Sequence, residues 1–438
     1  MGRAGNDESR PCTTERGGAV TARRRTRRAG VPLAAVVILS LLTACAEAPA
    51  ISTTSDSGTT ATSAPTGEIS ISPDDPQAFT PILAHVPVAP VPFAGSDGKT
   101  HVVYELFITN TAPAAATLDQ VEVIDSATGE VVDTLDEAAL VDAFEVVTRT
   151  TADGVVGAAQ SGTIYLHLLF DDAASVPESL GHRLSATLPD APPERQKIDE
   201  SVATVRVDDR EVVELGPPLE GTGYLAADGC CDSTRHRRAA LPVNGSLTIA
   251  QRYAIDWEQV DDEGRIYVGE RTDPNSYAIY GDEALAVAEG TVVKVLDGFE
   301  EQVPGTFPEN ISIEEADGNS VVIDLGAGNF VMYAHLQPGS PRVEVGDKVE
   351  PGDVIGLVGN SGNSIAPHLH LHLMDSPLPL ASSGLPYTID DFTISGQTVS
   401  TEAFDKAEAD GTPLEYTPVD PPTSHRDQYP MDQSLVTF

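Results

Sequence analysis

The stretch PHLHLHLMD, Pro367–Asp375, alternates histidine and leucine over six residues and constrains the fold more than any other segment. An extended strand sends side chains alternately to its two faces, so only a strand sorts this pattern cleanly. His368, His370 and His372 then share one face, and Leu369, Leu371 and Leu373 share the other. The leucine face requires a core, which places the strand in a packed sheet. The histidine face is expected to look into a cleft or solvent. It gathers three of the chain's ten histidines, the side chain best suited to bind a metal or move protons near neutral pH.

The rest of the chain is also patterned for β structure, and an all-β fold follows. Between about residues 73 and 215, short β-branched and aromatic runs such as HVVYELFITN (His101–Asn110) and GTIYLHLLF (Gly162–Phe170) are separated by turn residues. This predicts an N-terminal immunoglobulin-like β-sandwich. His101, His167 and His182 sit singly in these runs and read as ordinary strand histidines. A second β-rich unit spans residues 216–395. The acidic, proline-rich segment 396–438 reads as a loosely ordered C-terminal tail.

Residues 1–44 read as a signal peptide. Arg23, Arg24, Arg25, Arg27 and Arg28 precede the apolar run Val31–Leu42, which is too short to span a bilayer as a helix. LTAC, Leu42–Cys45, resembles the bacterial lipobox and implies lipidation at Cys45. Residues 45–72 are rich in Ser, Thr, Ala and Pro, as in a flexible tether. The expected location is the extracytoplasmic face of the cell membrane, held by the N-terminal lipid. The net charge of −41 excludes a general nucleic-acid binder. Within the expected mature chain only the adjacent Cys230 and Cys231 remain besides Cys45. A vicinal disulfide, two free thiols and zinc ligation by one of them are all open.

Several spaced motifs surround the histidine strand. AIDW contains Asp256, ALAVAEGTVVKV spans Ala284–Val295, and YAHL spans Tyr333–Leu336. VEVGDKVEPGDVIGLVGNSG, Val343–Gly362, follows and leads to PHLH. In this order the segment Leu247–Met374 resembles the M23 family of zinc metallopeptidases, of the lysostaphin or LytM type. The resemblance implies an antiparallel β-sheet core with an active-site groove, a bound Zn2+, and hydrolysis of peptide bonds in peptidoglycan. It also implies roles. Asp256 and His370 match metal ligands, and His335 and His368 match the two catalytic histidines that do not bind the metal.

One position departs from the family pattern. The first ligand, expected four residues before Asp256, is Arg252. A guanidinium has no lone pair to donate. His236, in CCDSTRHRRAALPVNG, is the candidate replacement. His372 is a candidate partner behind His370 or an alternative ligand. Arg252 is a candidate for an ion pair with Asp256 or Glu258, or for a substrate carboxylate. Two functions follow. One is a lipid-anchored zinc endopeptidase of the cell wall. The other is a degenerate, non-catalytic domain that binds peptidoglycan peptides or regulates a partner wall hydrolase.

Overall fold

The computed structural model describes residues 79–146 and 154–438. The expected signal peptide, Cys45 and the tether to residue 72 lie outside the described residues. Two antiparallel sheets form the N-terminal part. One runs in the order Ile82–His85, Thr100–Asn110, Ser161–Phe170, Phe144–Val146, with Phe93–Ala94 beside the second strand. The other runs Lys197–Arg206, Ser179–Thr187, Ala116–Asp125, Val131–Leu135, with Val155–Val156 at its side. Alternating apolar residues from both sheets, including Val102, Tyr104, Leu106, Val121, Val123 and Leu184, meet in one core.

The second part is built on an 11-stranded sheet. Its order is Lys348–Val349, Gly290–Leu296, Asn319–Gly326, Asn329–Leu336, Leu369–Met374, Ile255–Gln259, Tyr224–Ala227, Ser434–Thr437, Phe392–Thr398 and Tyr416–His425. Gly384–Leu385 pairs beside Leu369–Met374. The histidine–leucine strand is therefore central. Leu369, Leu371 and Leu373 enter the main core with Ile255, Trp257 and Tyr333. The opposite face is buried as well, with His368 7%, His370 2% and His372 0% exposed. The expected open histidine face is corrected: other segments cover it, and its polar atoms must find partners inside the protein.

Segment 396–438 also differs from expectation. It is not a loose tail but completes the sheet. Ser434–Thr437 inserts between Tyr224–Ala227 and Phe392–Thr398, burying Leu435 and Val436. Phe438 packs against Trp257, with ring centroids 5.1 Å apart. Helix Thr401–Asp410 starts at the Ser400 cap and stops at Gly411, which takes a left-handed φ of 64°. Three of its five prolines, Pro418, Pro421 and Pro422, fall in Tyr416–His425, at the sheet edge, where a missing N–H costs little.

The two parts pack directly. Phe93 and Val103 of the sandwich share the main core with Tyr253 and Tyr429. Cys230 and Cys231 are joined in a disulfide.

Candidate metal centre

Strand register brings Asp256 and His370 together. They are directly opposite on the neighbouring antiparallel strands Ile255–Gln259 and Leu369–Met374, so their side chains share a face. His370 Nδ1 lies 2.8 Å from Asp256 Oδ1. The chain leaving Tyr224–Ala227, the strand on the other side of Asp256, folds back through a short helical turn at His236–Arg238. It delivers His236 Nε2 to 3.3 Å from Asp256 Oδ2. The ring of His236 stands edge-on to His370, with centroids 4.9 Å apart. Ligand atoms of His236, Asp256 and His370 thus all lie within 4.8 Å of one another.

Three arginines hold that turn. Arg235 pairs with Asp228 at 2.8 Å and reaches Asp405. Arg237 is buried against Glu105 and donates to the carbonyls of Tyr104 and Leu166. Arg238 pairs with Glu145 at 3.0 Å and donates to the Asp142 carbonyl. His236 is therefore clamped from the sandwich on one side and, on the other, from Asp228 at the end of Tyr224–Ala227 and Asp405 of helix Thr401–Asp410.

Arg252 faces away from the centre. Its Nε lies 3.0 and 3.1 Å from the two Glu105 carboxylate oxygens, its Nη2 lies 2.6 Å from Oε2, and its Nη1 donates to the Gly384 carbonyl. The expected pairing with Asp256 or Glu258 is corrected. Arg252 and Arg237 share the one buried carboxylate of Glu105, which belongs to the sandwich. At 4% exposure Arg252 is also closed to a substrate carboxylate.

His335 and His368 stand beside this group, with ring centroids 4.7 Å apart. His335 ends the strand Asn329–Leu336 with φ of 62°, a left-handed conformation uncommon for a side-chain-bearing residue. Its backbone N–H donates to the Asp317 carbonyl, and its Nδ1 lies 2.7 Å from the Ser361 carbonyl. Two glycines bring the Ser361 loop this close. A Cβ on Gly362, at φ 79°, would sit 2.4 Å from the Gly318 nitrogen.

Hydrogen bonding fixes the tautomers. His236 Nδ1 lies 2.9 Å from the Asp228 carbonyl, and His368 Nδ1 lies 2.8 Å from the Ala366 carbonyl. A carbonyl only accepts, so Nδ1 carries the proton in His236, His335 and His368. Each neutral ring then presents a bare lone pair at Nε2. For His236 and His368 that lone pair faces the Asp256 carboxylate, at 3.3 and 3.4 Å. Acceptors facing acceptors repel unless a cation lies between them. Two imidazoles and one carboxylate form a donor set that suits Zn2+, so the residues fit the metal. His372 Nδ1 lies 2.9 Å from His370 Nε2. It stands behind His370 as an orienting partner, as is usual for a ligating imidazole. Its own Nε2 has no hydrogen-bond partner among the described residues.

The same crowding governs protonation in the metal-free protein. Burial disfavours the His236 cation, but the Asp256 and Asp228 carboxylates outweigh it and raise the pKa to about 9. Burial would raise the Asp256 pKa, yet the His236 and His368 charges hold it well below the usual carboxylate range. His335 is pushed well below the ordinary histidine value by burial, with His368 and His370 adding to the effect. For His368, burial pulls the value down while Asp256 more than compensates, for a net rise.

Residues 276–381 match the model of peptidase family M23. The chain carries an M23 peptidase domain. It is 38% identical over 104 residues to Endolysin 2638A of Staphylococcus phage 2638A, covering 22% of this chain and 18% of that protein. It is 40% identical over 75 residues to the peptidoglycan DD-endopeptidase ShyA of Vibrio cholerae, covering 15% and 17%. The chain thus spans less than a fifth of the length of these curated relatives. The catalytic domain of the prophage-encoded M23 protein EnpA from Enterococcus faecalis is similar in structure. There the identity is 20%, coverage is 40% of this chain and 93% of that one, and the TM-score is 0.23. His236 and Asp256 both precede the matched residues of the M23 domain, whereas His335, His368, His370 and His372 lie within them.

Sequence reasoning missed Glu105, the anchor shared by Arg237 and Arg252, and Asp228, whose carbonyl orients His236. A signal for Glu105 was present. It is the lone charge in the otherwise apolar run VVYELF, and the structure leaves it only 1% exposed.

Proposed function

We propose that the protein is a zinc metallopeptidase that hydrolyses peptide bonds of peptidoglycan, with His236, Asp256 and His370 holding the metal. The observation that carries this reading is the arrival of His236 beside Asp256 and His370, within 4.8 Å, from outside the family's motif. When bound, Zn2+ supplies Lewis acidity at the scissile carbonyl and its attacking water. The chain's own residues supply the proton path. His335 stays neutral, because its pKa is depressed, and its bare Nε2 is placed to take a proton from water. His368, oriented through its Nδ1 by the Ala366 carbonyl and in ring contact with His335, presents Nε2 beside it to orient the water, and the proton taken from water passes to the leaving amine.

The proposal extends to location. A signal peptide and a lipid on Cys45 would place the catalytic part outside the cytoplasm, against the peptidoglycan. Support for this comes from the sequence of residues 1–45 alone. A degenerate, purely binding domain is the alternative reading, and Arg252 was its motive. The use of Arg252 in a buried pair with Glu105, and the presence of His236 at the centre, weigh against it. The test is hydrolysis of purified peptidoglycan by the mature chain and by His370→Ala. Release of new amino groups by the wild type and none by the variant is expected. Wild-type rates in His370→Ala exclude zinc hydrolysis. Binding without cleavage by the wild type favours the alternative.

A further inference from the structure

A second group of donors lies away from the M23 centre, where the sandwich meets the Cys230–Cys231 loop. His101 and His167 come from the paired strands Thr100–Asn110 and Ser161–Phe170. Their rings meet edge to edge: His101 Nδ1 is 2.9 Å from His167 Nε2, and the planes are within 19° of each other. Each outer nitrogen faces a carboxylate. His101 Nε2 is 3.0 Å from Asp97 Oδ1, and His167 Nδ1 is 3.0 Å from Asp232 Oδ2. Ionised carboxylates only accept, so both outer nitrogens carry protons. In the neutral rings the two inner nitrogens are then lone pairs pointing at each other, an arrangement that calls for a cation between them.

A third donor is at hand. Cys231 Sγ lies 3.8 Å from His101 Nδ1, and the three donor atoms fall within 4.8 Å of one another. Zinc bonds of about 2.0–2.1 Å to nitrogen and about 2.3 Å to sulfur can bridge such spacings. A carboxylate behind each imidazole is the usual support of a metal-ligating histidine. His167, Cys231 and Asp232 also line a cavity of about 510 Å³, which gives an approach path. The missing element is a thiolate, because Cys231 is disulfide-bonded to Cys230.

We propose that His101, His167 and the Cys231 thiolate form a second site for a zinc-class divalent metal, which closes when the Cys230–Cys231 disulfide is reduced. A phosphine reductant in water supplies the chemistry. Phosphorus takes the water oxygen and becomes phosphine oxide, the S–S bond breaks, and each sulfur gains one hydrogen. Cys231 then loses its proton to solvent as the metal binds.

The test compares Cys230→Ser, which leaves Cys231 as an unpaired thiol, with Cys231→Ser in the full mature chain, using Co2+ as the probe. Cys230→Ser takes up one more equivalent of Co2+ than Cys231→Ser and shows thiolate-to-cobalt charge-transfer absorption. Adding His101→Ala to Cys230→Ser abolishes both. Wild-type protein gains the same equivalent and absorption on phosphine reduction, and not before; this arm stands if the serine variant fails to fold. Equal uptake by the two serine variants, or an unchanged uptake on reduction, overturns the proposal and identifies the cation between the rings as a proton. The readout is a difference between proteins that share an intact Asp256–His370 centre, so it is independent of whether that centre holds zinc.

Discussion

Glu105→Gln removes one negative charge from the sandwich and leaves two buried guanidinium groups, Arg237 and Arg252, without a counter-ion. Breaking a buried pair by removing one partner costs about 3–5 kcal/mol, mainly because the remaining charge is stranded. Unfolding entropy of about 2.1 cal/mol/K per residue, applied to the two folded parts, converts this to a fall in Tm of about 4–7 °C. The second consequence is local. Arg237 directly follows His236 and fixes the turn that delivers it. Loss of an orienting partner commonly weakens metal affinity by about 10–100-fold, or about 1.4–2.8 kcal/mol at about 1.4 kcal/mol per tenfold. Thermal unfolding of the metal-free protein reads the first effect. Competition with a calibrated chelator reads the second. A lowered Tm with wild-type zinc affinity would refute the positioning role of Glu105 and leave it a structural residue. No change in either quantity would refute the buried cluster itself.

Three further outcomes are expected. Arg252→His does not create a fourth ligand or raise zinc affinity, because the side chain faces Glu105 rather than Asp256; calorimetry finds the variant less stable than wild type, with no new zinc site. Zinc affinity rises with pH between about 7 and 9, because His236 holds a proton below its metal-free pKa of about 9 and zinc must displace it; titration in buffers of different ionisation enthalpy should detect about one proton released per zinc. His368→Ala keeps its zinc but loses about 10²–10⁴-fold in hydrolysis rate, the usual contribution of a positioned acid or base; metal analysis beside a peptidoglycan assay separates the two effects.

The strand alternation made the central sheet legible, because a period of two admits one backbone geometry. Asp256, His335, His368 and His370 were legible through ordered motifs, and the structure brings them to one face. The loop that carries His236 gave a weaker signal: a histidine among arginines looks like solvated surface until each arginine is seen to have a carboxylate partner. Apart from Asp228, those partners, Glu105, Glu145 and Asp405, lie far away in the chain, and no local pattern links them to the loop. The ordered 396–438 segment was hidden for a related reason. Its acidic and proline-rich composition suggests solvent, whereas Leu435, Val436 and Phe438 supply the apolar contacts that dock it. The Arg252 substitution, which by itself suggested a decayed site, becomes intelligible if His236 is the ligand, as proposed, because Arg252 then serves as the interface anchor against Glu105.

Metal analysis of His236→Ala beside wild type, both purified without reductant, tests the central claim most directly. Wild type is expected to hold about one zinc per chain, as a mononuclear catalytic site does, and His236→Ala to hold none after dialysis against a weak chelator. Retention of one tightly bound zinc by His236→Ala would contradict the account.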